Sequence, residues 1–200
     1  EHPGSLITNK AQGAGLIKGI SSLTDICLLN IQGPGLIEVV GMSRRFFGAL
    51  AEQKVNIILI SQASSEHSIC IAISGKDSHR AVTALEKEFS SEIASGSMDS
   101  VMTKQNMAIV AIVGENMRQH PGSSGRMFQA LGRNNINVFA IAQGSSELNI
   151  SAVVSIDDHQ KALNALHEAF FLSEFKILHM FLIGTGLIGS ALTKMIHEQL

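Results

Sequence analysis

The sequence has no tryptophan and no tyrosine, so no aromatic platform for sugars or bases stands out among its nine phenylalanines. It has little net charge: 15 basic against 17 acidic residues give −2. That balance offers no electrostatic footprint for nucleic acid, and no basic amphipathic stretch marks a membrane surface. No apolar run is long enough to span a bilayer. Cysteine is scarce, and Cys27 and Cys70 both sit in apolar, strand-like runs. They read as two buried thiols in a reducing compartment rather than a disulfide. The eight histidines show no metal-ligand spacing with cysteines or acids, so no metal site is expected. There is no Gly-x-Ser-x-Gly, no P-loop and no pair of catalytic carboxylates, so no catalytic residue is assigned. His2-Pro3-Gly4 and His120-Pro121-Gly122 read as loops, and Arg44 and Arg45 as a solvated helix face. Two hundred residues suffice for one or two domains with a real core. The chain starts at Glu1 and stops in mid-pattern at Leu200, which reads as a piece of a longer polypeptide.

What is present is a repeat at a constant offset of 81 residues. Ile60-Ser-Gln-Ala-Ser-Ser-Glu66 returns as Ile141-Ala-Gln-Gly-Ser-Ser-Glu147. Gly33, Gly41, Arg45, Phe47, Leu50, Asn56, Asp77 and Phe89 return as Gly114, Gly122, Arg126, Phe128, Leu131, Asn137, Asp158 and Phe170. A repeat of this length, aligning 26–89 with 107–170, is a duplicated small domain rather than a solenoid unit.

Periodicity divides each copy in the same order. Copy one predicts a buried strand at 26–31, a helix at 39–54, strands at 55–60 and 68–74, and a helix carrying Ala81, Val82, Leu85 and Phe89. Asp77 is placed as that helix's N-cap. A Ser- and Gly-rich linker, 90–100, leads to a weak strand at 101–103. Copy two predicts a strand at 107–113, a loop at 114–122, a helix to about Asn134, strands at 137–142 and 148–155, and a helix capped by Asp157 or Asp158. Each copy is a split βαβ, ferredoxin-like unit: an antiparallel sheet with both helices on one face. Copy two lacks a fourth strand before residue 176, and a lone strand at 16–20 has no sheet of its own. The expectation is that 16–20 completes the second sheet.

Residues 177–183 then predict a buried strand, followed by Gly184-Thr-Gly186-Leu-Ile-Gly189 and a helix. That arrangement is the start of a dinucleotide-binding fold, whose glycines let a pyrophosphate approach a helix N-terminus. The alternative is a glycine-rich turn without a ligand. A second constellation lies in the repeat: a loop before a helix N-terminus (Gly33 to Met42, Gly114 to Ser123) with Asn56 and Gln62, or Asn137 and Gln143, on the next strand. Free N–H groups at a helix start favour a carboxylate, and a Gln amide both donates and accepts, as an amino-acid ligand requires. The alternative is purely structural, with Gly, Asn and Gln-x-Ser-Ser-Glu serving loop and turn.

With these motifs in order, the chain resembles the regulatory region of bifunctional aspartokinase–homoserine dehydrogenases. The stretches that carry it are Lys18-Gly-Ile-Ser-Ser, Gly33-Pro-Gly with Val40-Gly-Met, the doubled Gln-x-Ser-Ser-Glu, Asn135-Ile-Asn-Val, and Met180-Phe-Leu-Ile-Gly-Thr-Gly-Leu-Ile-Gly. The resemblance implies an α+β fold of two ferredoxin-like βαββαβ ACT units followed by a truncated Rossmann β-α start. It implies a kinase tail or linker at 1–15, a strand at 16–21 completing the second unit, a first unit at 22–104, a second at 105–175, and the dinucleotide-binding start at 176–200. It implies an effector, L-threonine, bound by Gly41, Met42, Asn56, Ile57, Ile60 and Gln62 in unit one. In unit two it implies Gly122, Ser123, Asn137, Val138, Ile141 and Gln143. Gly184, Gly186 and Gly189 are then half of a cofactor site. The piece itself needs no cofactor and is no enzyme; NAD(P), ATP and magnesium belong to the parent. A homodimer through the ACT units is implied, in the cytoplasm or a plastid, with no nucleic acid or membrane partner.

The units differ at the loop: Gly33-Pro34-Gly35 becomes Gly114-Glu115-Asn116, and Val39-Val40 becomes His120-Pro121. An acidic Glu115 near a carboxylate site disfavours an anion, so unequal sites are expected. Two rival readings stand beside the sensor: a structural dimerisation linker without ligand, and an NAD(P)-binding enzyme fragment.

Overall fold

The computed structural model describes residues 16–34, 41–62, 68–115, 117, 120–144, 148–172, 184 and 186–198. Among these described residues twelve strands and α-helices run in the order β1 (Ile17–Gln32), α1 (Met42–Glu52), β2 (Ile57–Ser61), β3 (Ser68–Ser74), α2 (Ser78–Glu88), α3 (Ser90–Ala94), β4 (Met102–Gly114), α4 (Ser123–Arg133), β5 (Ala140–Gln143), β6 (Asn149–Ser155), α5 (His159–Phe171) and α6 (Leu187–Glu198). All strand pairs are antiparallel, in one sheet of order β2-β3-β1-β4-β6-β5.

β1 and β4 are each shared between the two ferredoxin-like units. The second half of β1 pairs with β3 (Cys27↔Ile73, Leu29↔Ile71), while its first half pairs with the end of β4 (Ile17↔Gly114, Ile20↔Ile112). β4 reciprocates: Met102–Lys104 lies beside β1, and Met107–Val113 pairs with β6. The strands expected at 16–20 and 26–31 are thus one strand, as are those expected at 101–103 and 107–113. Between the expected strands lie single left-handed residues, Asp25 (φ 58°) and Asn106 (φ 57°), which absorb the register shift as each strand crosses units.

The 81-residue offset governs this ribbon too. Ile26 faces Met107, its own copy, and Leu28↔Lys104 is mirrored by Leu23↔Ile109. Lys54 (φ 54°) and Asn135 (φ 52°), both just after a helix, repeat the same left-handed turn. A local two-fold axis therefore passes near Ile26 and Met107.

Both faces of the central strands are apolar. Cys27, Leu29 and Ile31 pack with Ile71 and Ile73 against Phe46, Leu50, Leu85 and Phe89 of unit one's helices. Ala108, Val110 and Ile112 pack with Ala152 and Val154 against Met127, Leu131 and Leu166 of unit two's helices. On the opposite face Ile26, Leu28, Leu59, Ala72, Met107, Ile109, Ala140 and Val153 form a third cluster from both units. The sheet curls around it, bringing β2 and β5 together. This is period-two alternation with both sides buried.

Several local expectations are corrected. The first helix begins at Met42, and residues 35–40 lie outside the described residues. The segment 90–100 is packed structure: α3 occupies its start and Met98 is fully buried in unit one's core. Asp77 makes no side-chain cap bond; its carboxylate accepts from Arg80 at 2.8 Å instead. Asp158 likewise makes none, and Ser155 accepts the N–H of Asp157. Cys27 faces the helices and Cys70 the opposite face, and both are free thiols. The strand expected at 177–183 lies outside the described residues.

Candidate functional site

The repeated glycines do two different jobs. A Cβ on Gly33 would lie 2.6 Å from the Met98 Cα, and one on Gly114 would lie 2.2 Å from the Leu16 carbonyl oxygen. These two positions exist for close backbone packing, Gly33 against the segment that leads into β4 and Gly114 against the start of β1. Gly41 and Gly122 instead have open space around them and φ values of 95° and 97° as the residues preceding α1 and α4. There the left-handed turn aims the first N–H groups of each helix outward, where they have no partner within the helix.

In unit two that helix start meets the predicted glutamine. Ser124 Oγ donates to Gln143 Oε1 at 3.1 Å, joining the first turn of α4 to the end of β5. Ser123 is 9% exposed and its hydroxyl donates to the His120 carbonyl at 3.3 Å. Ile141, on the same strand, is 42% exposed although large and apolar. Asn137 and Gln143 lie six residues apart along extended chain, about 20 Å, so they mark two ends of a groove rather than one point. Val138 is half-buried between them.

A cavity of about 400 Å³ opens at the same helix start. Ile17, His120, Gly122, Ser123, Arg126 and Phe170 line it. Arg126 lies over the Phe170 ring, 5.3 Å from its centroid. Sequence reasoning missed Ser124, although Ser43 and Ser124 match at the constant offset and that signal was available. It also missed Arg126 as part of this cavity.

Unit one places its matching residues alike: Met42 buried at the start of α1, Ile57 half-buried, Asn56 and Gln62 exposed, Ile60 48% exposed. Its arginine is engaged otherwise. Arg45 Nε donates to Glu88 Oε1 at 2.7 Å, a guanidinium nitrogen donates to the Glu88 carbonyl at 2.9 Å, and another to Glu92. The guanidinium lies 4.7 Å above the Phe89 ring. Arg45 is thus a clamp between α1, α2 and α3, not a solvated face. The Arg45 contact and the Ser91 hydroxyl hold the Glu92 carboxyl down to about 2. The positions matching Glu88 and Glu92 in unit two carry Ala169 and Ser173.

Gly184 has φ 98°, and α6 starts three residues later, with Ser190 N–H donating to the Gly186 carbonyl at 3.0 Å. Gly189 lies inside α6 rather than before it. Ile188, Leu192 and Met195 of this helix are 85%, 40% and 62% exposed. Among the described residues no His, Cys, Asp or Glu cluster is arranged to hold a metal. No helix among them is long and apolar enough to cross a membrane.

The sequence profile of the ACT domain matches the chain twice, at residues 29–89 and 110–170. The chain belongs to the ACT domain family. The two matches coincide with the two halves of the sheet, so each ferredoxin-like unit is one ACT unit. The chain is 38% identical, over 98% of its length, to a bifunctional aspartokinase/homoserine dehydrogenase of Haemophilus influenzae. It spans about a quarter of that protein, 24%. The fold matches aspartate kinase from Clostridium acetobutylicum with a TM-score of 0.69 at 28% identity, over 81% of this chain and 37% of that one. It also matches the ligand-free regulatory subunit of aspartate kinase from Thermus thermophilus, with a TM-score of 0.66 at 24% identity, over 78% and 99%. The pair of ACT units is thus the pair found in aspartokinase regulatory regions.

Proposed function

We propose that this chain is the amino-acid-sensing regulatory region of an aspartokinase–homoserine dehydrogenase, and that its effector is L-threonine. The observation that carries the reading is the junction of α4 and β5, where Gly122, Ser124, Ile141 and Gln143 set helix N–H groups, a hydroxyl, an apolar surface and an amide side by side. The N–H groups suit the effector carboxylate. The Gln143 amide suits an ammonium or hydroxyl, and Ile141 suits a small side chain. The matching groove of unit one offers Gln62 and Ile60, but begins at Met42 instead of Ser123. We assign the tighter site to unit two on the strength of the Ser124–Gln143 junction, which in this reading outweighs the penalty expected from Glu115.

Ile60 and Ile141 are exposed on β2 and β5, the edge strands of the sheet. Exposed apolar residues on these strands favour burial against a second copy, so in this reading the working unit is a homodimer through its ACT units. An effector seated at such a junction binds one arrangement better than another and biases the catalytic domains by that difference. In the parent, the glycine turn at 184–189 would hold the pyrophosphate of NAD(P), and ATP with magnesium would serve the kinase.

The test is calorimetric titration with L-threonine, L-lysine and L-methionine, because the absence of tryptophan removes intrinsic fluorescence as a probe. Selective heat from threonine supports the sensor. Silence from all three in a folded dimer would favour a linker that binds no ligand.

A further inference from the structure

The back face of the curled sheet holds two cavities that the local two-fold exchanges. One, of about 570 Å³, is lined by Leu28, Asn30, Cys70, Met102, Lys104 and Phe139, among others. The other, of about 210 Å³, contains the matching residues at the 81-residue offset. Their chemistry has diverged: Lys104, Asn30 and Cys70 in the larger cavity correspond to Leu23, Ala111 and Ser151 in the smaller. Duplication left two hollows at corresponding positions, and only the larger carries a cation in its lining.

The larger cavity is shaped for a particular class of molecule. Lys104 Nζ stands 3.9 Å from the centroid of the Phe139 ring, which fixes the ammonium over an aromatic wall. Phe139 is itself pinned by its N–H, which donates to the Val153 carbonyl at 2.8 Å. Asn30, beside Met102 across the β1–β4 ribbon, adds an amide. Leu28, Met102 and Phe139 supply an apolar floor and wall. No Asp or Glu is among the described lining residues, so nothing there pairs an α-ammonium. The volume is in the range of small-molecule sites.

We propose that this back-face cavity is a second ligand site, separate from the α4–β5 groove, for a small monocarboxylate with an apolar body and no amino group, of the 2-oxo acid class. Lys104 pairs the carboxylate, Asn30 bonds the oxo group, and the hydrocarbon lies against Leu28, Met102 and Phe139. The Lys104 half of β4 belongs to unit one and Phe139 to unit two, so a bound molecule bridges the units.

Cys70 provides a local readout, because Cys27 is fully buried on the other face. Burial pushes the Cys70 thiol up from its ordinary value, so labelling with a disulfide reagent is run at alkaline pH. The probes are α-ketoisocaproate, L-leucine as its zwitterionic counterpart, and methyl isobutyl ketone as an uncharged one, each added to the whole chain. α-Ketoisocaproate is expected to slow Cys70 labelling in a saturable way, and the other two to leave it unchanged. Lys104→Leu copies the twin cavity, so the fold tolerates it; it should weaken that protection about twofold to fivefold, as loss of one exposed ion pair does. Gln143→Ala should leave the protection intact, which separates this site from the threonine reading. Absence of protection by α-ketoisocaproate, equal protection by leucine or the ketone, or protection unchanged in Lys104→Leu would each overturn the proposal.

Discussion

Arg45 and Arg126 occupy the same place in two copies of one fold, and they are put to different uses. In unit one the guanidinium is held by Glu88 and Glu92 and stacked on Phe89, closing α1 onto α2 and α3. In unit two the matching arginine lies over Phe170 and lines a cavity beside the start of α4, and the sequence carries Ala169 and Ser173 at the positions that correspond to the two carboxylates. The scaffold around both is the same to the level of individual backbone angles: Gly41 and Gly122, Asp25 and Asn106, and Lys54 and Asn135 agree within a few degrees. The difference teaches that duplication preserved the backbone while the side chains around one conserved arginine diverged: it clamps three helices in unit one and lines a cavity in unit two.

The sharpest way to test the shared half of this comparison is through the packing glycines. Gly33→Ala and Gly114→Ala each drive a Cβ into backbone atoms that cannot move aside. Each is expected to destabilise the protein by about 3 kcal/mol or more, read as a fall in thermal midpoint by calorimetry. A mild effect at either would show that the two units do not share this contact.

The repeat made this much legible in advance, and its limits were physical. Identities such as Ile60 with Ile141 and Gln62 with Gln143 fixed the unit, its element order and the two candidate grooves. The same offset in residues 17–24 and 98–105 was invisible, because no residue there is identical; only the exchanged register and the paired left-handed residues reveal it. The strands at 16–20 and 26–31 read as two, as did those at 101–103 and 107–113, whereas β1 and β4 run on through the left-handed Asp25 and Asn106. Arg45 looked solvated because its partners are 43 and 47 residues away. The twin back-face cavities could not be read at all, since their walls come from strands of both units.

The divergent half of the comparison is broken or sharpened by the arginines. Arg45→Met should lower stability by about 1 kcal/mol, the scale of a half-exposed ion-pair network, and leave threonine affinity unchanged. Arg126→Met should do the reverse: nearly unchanged melting, and threonine affinity reduced severalfold in a calorimetric titration, because it lines the cavity beside Ser123. The opposite pattern would exchange the roles of the two units.

The smallest effect is a pH dependence confined to unit one. Glu92 titrates near 2 in the folded chain against 4.5 as its ordinary value. Its folded pKa is depressed, so its contribution to stability is complete above about 4.5 and is lost as pH falls toward 2. Glu92→Gln should flatten that part of the stability profile in denaturant titrations at stepped pH. Ser173→Ala, at the matching place in unit two, should leave the slope as it is; an unchanged slope in Glu92→Gln would refute the clamp.

The central claim, that unit two holds the effector while unit one braces the fold, is tested most directly by titrating L-threonine into the parent chain, Gln62→Ala and Gln143→Ala under one set of conditions. The account predicts that Gln143→Ala weakens binding about tenfold, the effect of losing one hydrogen bond to a charged or polar ligand group, and that Gln62→Ala stays close to the parent. Equal loss in both variants, or a loss confined to Gln62→Ala, would contradict it.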